Sequence, residues 1–242
     1  GGFRGTGDYS LSTIKTITKN FFSLSSSQIL CRAINFVVVI YLARILGVEN
    51  FGKISFGQAF LVYTTLLANC GLLDFGVREI ARNKNQHSFI VNNIFSLRVI
   101  LAVVAYCVLI FVVLIAKMPT ETNCIVLLYG ISVFPFALSV EWILRGIEKM
   151  EYIAISNVLH RVIFLCLIFL YVKSSYNVYL IPLFWLCAEI VWTIFLYLAL
   201  IKENIKVQFQ INISAWKKII RQALPMGFSF FMIQVYYYFD TI

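Results

Sequence analysis

Charge is scarce in this chain. Only 13% of its 242 residues are Asp, Glu, Lys or Arg, and 61% are apolar. A water-soluble domain carries about 25% charged and about 45–50% apolar residues. With a mean hydropathy of +0.87, a soluble fold is excluded. Histidine is nearly missing: His87 and His160 stand far apart and make no metal pattern. Cysteine never pairs. Cys31, Cys70, Cys107, Cys124, Cys166 and Cys187 are scattered singly with no CxxC, so they read as small hydrophobes in packed helices. An acidic metal motif, a His cluster and a long polar loop are also missing. Membrane enzymes generally need positioned acids, bases or metal ligands, so a membrane enzyme is the weakest reading. No cleavable leader is visible: residues 1–20 are polar and rich in Ser, Thr and Gly, and the run after them is too long for one.

What is present is a series of long apolar runs. About 20 apolar residues in a helix cross the ~30 Å hydrocarbon layer. Seven runs qualify as spans: 21–46, 55–75, 94–116, 124–143, 153–172, 179–201 and 223 to the end. The fold class expected is an all-α, polytopic membrane helix bundle. The net charge of +9 would point to nucleic acid in a soluble protein. Here the positive residues are parcelled between the runs, so nucleic acid is not expected. Segments 1–20, 76–93, 144–152 and 202–222 carry Arg4, Lys15, Lys19, Arg78, Arg82, Lys84, Arg145, Lys149, Lys202, Lys206, Lys217, Lys218 and Arg221; the opposite ends carry only Arg44, Lys53, Lys117 and Lys173. By the positive-inside rule the N-terminus is cytoplasmic. The outside loops, about 47–54, 117–123 and 173–178, are too short to form a domain.

The spans carry polar stripes. In the first, Arg32 sits well inside the run, with Ser25, Gln28 and Asn35 at helical spacing on the same face. A charge there costs from ~2.5 to ~17 kcal/mol, depending on how far it snorkels. A helix lining a polar passage or a packed bundle gains from such a stripe, and a lipid-facing helix does not. Gln58, Thr65 and Asn69 share a face of the second span, with Asp74 at its inner end. The third has little polarity beyond Ser96, Arg98 and Tyr106 and reads as a peripheral, lipid-facing helix. In the fourth, Pro135 lies between Ser132 and Ser139, near Glu141, and should kink the helix. Asn157 and Arg161 are one turn apart in the fifth; Trp185, Glu189 and Trp192 share a face of the sixth; Ser229, Gln234 and Asp240 mark the last. Ser10–Phe22 forms a basic amphipathic segment suited to the membrane interface. Ile213–Leu224 repeats that plan before the last run, so a second half would repeat the first in parallel sense. The expected organisation is an interfacial segment (1–20), a six-helix lobe (21–201), an amphipathic linker (202–222) and the start of a second lobe (223–242), making the sequence a piece of a two-lobe protein.

Three stretches carry a resemblance: Tyr41 to Phe60 (YLARILGVENFGKISFGQAF), Leu72 to Lys84 (LLDFGVREIARNK) and Glu141 to Ala154 (EWILRGIEKMEYIA). In them Gly47 and Gly52 would flank a tight outside turn, Arg78, Glu79 and Arg82 would form a charged inner rim, and Trp142 would anchor at the interface. The rim either orients the protein or makes first contact with an acidic headgroup. Glu141, Arg145, Glu148 and Lys149 alternate in sign and would pair across the connection between spans four and five. From about residue 12 onward the chain resembles the N-terminal half of the polysaccharide transporter (O-antigen flippase) family, in the superfamily that also holds multidrug and toxin extrusion transporters and lipid II flippases.

The resemblance implies two lobes of six or more helices around a cavity that opens alternately to either side of a bacterial inner membrane. It implies as cargo a polyprenyl-pyrophosphate-linked oligosaccharide moved from the inner to the outer leaflet for surface polysaccharide. Arg suits a pyrophosphate because its planar donor fork stays protonated. Arg32, with Gln28 and Asn35, is the candidate headgroup site, and Gln58, Asn69, Asn157 and Arg161 complete the candidate binding set. Asp74, Glu141 and Glu189 are candidates for gating pairs or for coupling to a proton or sodium ion. Membrane lipids and a polysaccharide polymerase are the other implied partners; neither a cofactor nor a metal is expected. The competing readings are a multidrug or cation antiporter of the same architecture, whose cavity should be acidic or hydrophobic, and, weakest, a membrane-embedded polysaccharide polymerase or sugar transferase.

Overall fold

The computed structural model describes residues 6–82 and 87–239. Arg4, Lys84 and Asp240 lie outside the described residues, as do the side chains of residues 6–17, Lys19 and Gln234. Every regular element described is helical: α1 (Thr6–Asn69), α2 (Leu72–Arg82), α3 (His87–Ala116), α4 (Thr120–Ile131), α5 (Val133–Leu138), α6 (Glu141–Gly146), α7 (Met150–Tyr171), a 3-10 turn (Ser175–Tyr179), α8 (Leu180–Lys202) and α9 (Ile213–Phe239).

Among the described residues, five helical stretches are long and apolar enough to cross a membrane: Asn20–Asn69, Ser88–Ala116, Thr120–Gly146, Met150–Tyr171 and Ser175–Lys202. The first has 50 residues, more than twice what one crossing needs. Gly47 divides it, with φ 72° and ψ 174°. A side chain resists that left-handed φ, and glycine does not. The expected outside turn over residues 47–54 is therefore a break at one residue; helix resumes at Val48, and Gly52 is helical.

Cross-contacts show that the crossings alternate in direction. Asn20 Nδ2 donates to the Glu148 carbonyl (3.2 Å) and Tyr41 Oη to the Val172 carbonyl (2.9 Å), so the first arm of α1 runs alongside α7 in the same sense. The second arm starts beside α4, through Lys53–Glu121 at 2.7 Å, and leads to Gly76 against Trp142 of α6. α3 runs against both: Arg98 meets Ser139, and Leu109 meets Gly130. α8 runs against α7, with Trp192 on Asn157 and Trp185 on Phe164. One apolar cluster around Leu72, Ile80, Ile143 and Leu196 packs the end of the bundle where α2 and α6 meet, and another around Leu42, Ile54, Ile168 and Ile181 packs the opposite end. Small residues let the helices meet, as expected where lipid removes the hydrophobic drive between helices. A Cβ on Gly57 would lie 2.7 Å from the Tyr129 ring, and one on Gly146 2.7 Å from Ile80.

Two local expectations are overturned. α3 is not peripheral along its whole length. Its C-terminal half is exposed through Phe111, Leu114 and Ile115, but Asn93, Ser96 and Arg98 are buried. The extended connection between α8 and α9 covers the N-terminal half, its Gln208 and Gln210 amides donating to Asn92 Oδ1 (2.9 Å) and Ser96 Oγ (2.7 Å). Trp142 is not an interface anchor. It is 1% exposed and fills the space that Gly76 leaves, where a Cβ would stand 2.4 Å from the indole. Toward the end of the chain, α9 runs unbroken from Ile213 through Pro225, so the amphipathic stretch Ile213–Leu224 and the start of the last apolar run form one helix, while the first half of the expected linker is non-helical.

Candidate functional site

The site is built on a broken helix. The fourth span appears as three pieces, α4, α5 and α6, with Pro135 inside the middle one and an extended Ser139 (φ −61°, ψ 142°) before the last. Each break frees backbone carbonyls, which cannot be left bare at membrane depth. Arg98 takes two of them, with Nη1 on the Ser139 carbonyl and Nη2 on that of Phe136, both at 2.8 Å. Its guanidinium also lies 5.5 Å from the centre of the Phe136 ring. Thr193 Oγ1 of α8 donates to the Pro135 carbonyl at 3.1 Å. The break is thus held open by an arginine and a threonine from neighbouring helices.

Two cavities border it and share wall residues, and a third adjoins the second. The first, about 380 Å³, is lined by Thr65, Asn69, Asp74, Glu141 and Arg145. Glu141 pairs with Arg145 one turn along α6, and Asn69 Oδ1 accepts the Leu73 amide at 3.0 Å, joining the second arm of α1 to α2. The second, about 320 Å³, is lined by Gln28, Asn157, His160, Arg161, Glu189 and Trp192. Phe136 and Glu141 belong to both walls. The third, about 350 Å³, is lined by Arg32, Asn35 and Arg161 with Cys31, Phe36 and Val39. Arg161 joins it to the second.

Charge is sorted across these hollows. The first holds carboxylates against one arginine. In the second, Glu189 Oε2 stands 3.0 Å from His160 Nε2 on side chains only 13% and 8% exposed. The ring N–H does not aim at the carboxylate, since Nε2 makes no aligned hydrogen bond. Trp192 Nε1 donates to Asn157 Oδ1 at 3.1 Å, and Arg161 lies over the Trp185 ring, 5.1 Å from its centre. In the third the walls carry Arg32 and Arg161 and no acid. Among the described residues no carboxylate lies within 4.0 Å of either guanidinium.

The structure brings together most of the residues that sequence reasoning singled out: Gln28, Asn157, Arg161 and Glu189 in one hollow, Arg32 and Asn35 in the next, Asn69, Asp74 and Glu141 in the other. Gln58 lies apart, its Nε2 3.3 Å from the Tyr129 hydroxyl. The polar stripe of the first span borders the buried face instead of forming it: Ser27, Val38 and Leu42 are buried, and Arg32 is exposed in the lobe. His160 and Arg98 were missed as site residues. His160 falls on the face of Asn157 and Arg161, three residues after the first and next to the second, which is the signal that could have found it.

A family of polysaccharide biosynthesis proteins matches residues 17–242. A protein of Shigella dysenteriae named "Putative O-antigen transporter" is 27% identical over 156 residues, 59% of this chain and 36% of its own length. Its namesake in Escherichia coli K12 is 26% identical over 149 residues, 57% of this chain and 34% of its own length. The matched stretch is thus about a third of those relatives. Among solved structures, an outward-facing multidrug resistance MATE family transporter of the MOP superfamily superposes with a TM-score of 0.67 at 18% identity, over 93% of this chain and 54% of its own. A MOP superfamily transporter from Pyrococcus furiosus, described by the reverse polarity of its binding pocket, gives 0.61 at 20% identity, over 91% of this chain and 54% of its own. The all-helical fold is that of these transporters, and with a family match that runs from residue 17 to residue 242, the chain belongs to the polysaccharide biosynthesis protein family and is a multi-pass membrane protein.

Proposed function

We propose that the protein is a flippase that moves a polyprenyl-pyrophosphate-linked oligosaccharide from the inner to the outer leaflet of a bacterial inner membrane by alternating access, with its N-terminus in the cytoplasm. The observation that carries this reading is the third cavity: Arg32 and Arg161 share its wall with no carboxylate in it, and Glu189, in the wall of the second cavity, is more than 4.0 Å from Arg161. Two guanidiniums facing one hollow at membrane depth are costly unless an anion visits them. A pyrophosphate fits, because each arginine presents a planar fork to its oxygens. Gln28, Asn35 and Asn157 offer amides to the first sugars, and Trp185 and Trp192 offer ring faces. The polyprenyl tail stays in the bilayer. The six crossings then form one lobe, and α9 opens a second.

Asp74, Glu141 and Glu189 are assigned to gating and ion coupling. Glu189 with His160 is the strongest of these, because a proton delivered to either side chain changes the charge of a nearly enclosed pair. A multidrug or cation antiporter is the second reading, favoured by the carboxylates of the first cavity and by the fold it shares with MATE transporters.

The test is reconstitution of the intact protein in vesicles with a short-chain lipid-linked oligosaccharide, following its appearance in the opposite leaflet. Arg32→Ala and Arg161→Ala should each abolish transfer, and Arg32→Lys should keep part of it. Wild-type transfer in both alanine variants would remove the arginines from the mechanism. Efflux of organic cations with no lipid transfer would replace the flippase by the antiporter.

A further inference from the structure

A fourth cavity lies outside the three above, and α2 is the wall that separates it from them. Leu73, Asp74 and Val77 of α2 line the first interior cavity, while Phe75, Arg78, Glu79 and Arg82 line the outer one. At 100° per residue these two sets occupy opposite sides of the helix. The outer cavity is the largest of the four, about 660 Å³, and its other walls are Phe89 and Ile90 of α3 and Lys218 and Ile219 of α9. A volume of that size is in the range of small-molecule sites, about 300–1,000 Å³.

Its lining has two zones. Phe75, Phe89, Ile90 and Ile219 are apolar, and Phe89 is 50% exposed at the mouth. Arg78, Arg82 and Lys218 supply three cations against one carboxylate, Glu79, whose Oε1 is 3.5 Å from Arg78. Among the described residues no carboxylate lies within 4.0 Å of Arg82 or Lys218. The first turn of α9 reaches the same cavity through Ser214 and Ala215, so a helix N-terminus adds its positive end. Cations beside a greasy mouth, at the basic end of a membrane bundle, match an anionic phospholipid: phosphate on the cations, glycerol and upper acyl chain on the rings.

We propose that this cavity holds the headgroup of an anionic membrane phospholipid, which pins α2, α3 and α9 together from outside the transport route. The proposal does not depend on the flippase reading, since the route lies across α2. It implies that the junction between the first lobe and the helix after it is tightened by lipids of the negatively charged leaflet.

The experiment is thermal unfolding of the intact detergent-solubilised protein with phosphatidylglycerol, with phosphatidylcholine, or with inorganic phosphate. Phosphatidylglycerol should raise the midpoint in a saturable way, and the other two should not. The Arg82→Gln/Lys218→Gln double variant should unfold at the wild-type lipid-free midpoint and lose about tenfold or more in apparent lipid affinity. Arg82→Lys/Lys218→Arg should retain the response, and so should Arg32→Ala, which separates this site from the cargo site. An equal rise with phosphatidylcholine, a rise with inorganic phosphate alone, or a full response in the double Gln variant would each overturn the proposal. Should the double variant not fold, native mass spectrometry of Lys218→Gln decides: undiminished retention of phosphatidylglycerol would overturn it equally.

Discussion

Arg98 is 1% exposed, deep in a bundle that spans a membrane, and its partners are two backbone carbonyls. The arginine and the broken fourth span need each other. Without the guanidinium the Ser139 carbonyl would lose its partner, and the Phe136 carbonyl would keep only the Ser139 amide at 3.2 Å. A buried acceptor left unsatisfied costs about 1–3 kcal/mol, so Arg98→Leu should destabilise the protein by about 1–3 kcal/mol. Arg98→Lys should fall between, since a single ammonium group cannot reproduce the two-pronged geometry. Unfolding in a mixed-micelle titration would measure this, and an Arg98→Leu protein as stable as wild type would show that the break is held by other contacts. A milder effect is expected at Lys149, which lies between α6 and α7 and reaches Glu203 at 2.8 Å. The hydrogen bond that its ammonium donates to Glu203 holds the Lys149 pKa above its ordinary value of 10.5. A group whose folded pKa is raised contributes stability that is complete below the unfolded value and vanishes as pH climbs through the folded one. Lys149→Gln should therefore cost no more than about 1 kcal/mol near neutrality, because the pair is partly exposed. The gap to wild type should close only in strong alkali, above about pH 10.5, and a gap that closed near pH 8 would mean that Lys149 acts through another partner.

At the scale of elements, the α1–α2 corner and α9 meet backbone to backbone. Gly71 (φ 79°) ends the corner, and a Cβ there would lie 2.4 Å from the Ala223 carbonyl oxygen. A Cβ on Gly227 would lie 2.7 Å from the Cys70 carbonyl carbon. The colliding atoms are backbone and cannot swing aside, so both alanine variants must push α9 off the lobe, at about 1–3 kcal/mol each. Gly71→Ala should be worse, because its φ also disfavours a side chain. Gly52→Ala is the control: it is helical with open space around the missing Cβ and should be neutral or slightly stabilising. Labelling rates of Cys70 report the joint directly and should rise in the first two variants only. The sequence made some of these elements legible and hid others, for physical reasons. Apolar length is a local property, so the first six crossings were readable run by run. Pro135 announced a distortion because its missing amide is written in the residue itself. The partner that stabilises the distortion, Arg98, lies about forty positions earlier in a helix whose average composition says lipid. The burial of Trp142 was hidden in the same way, since it depends on Gly76 across a helix contact. The Arg32 stripe was visible by spacing, but its companion across the cavity, Arg161, could be matched to it only once α1 and α7 were seen side by side.

At the scale of the whole molecule, the alternating crossings sort the cations between two ends. Arg78, Arg82, Arg145, Lys149, Lys217, Lys218 and Arg221 belong to the end where α2, α6 and the start of α9 meet. The opposite end, where Lys53 meets Glu121 and Tyr41 meets Val172, holds few. Such an imbalance in short connections fixes orientation during insertion, because translocating Lys and Arg is disfavoured. The basic end, and the N-terminus with it, should face the cytoplasm. Two positions test this in a background with the six native cysteines replaced: Val48, 93% exposed just after the Gly47 break, and the partly exposed Lys149 in the α6–α7 connection. A membrane-impermeant maleimide added to intact cells should label Val48→Cys and leave Lys149→Cys unlabelled until the membrane is opened. The reverse pattern would invert the orientation and turn the proposed direction of lipid transfer around. Labelling of both in intact cells would contradict the alternation itself, because Val48 and Lys149 are separated by an odd number of crossings: the second arm of α1, then α3, then the α4–α6 span.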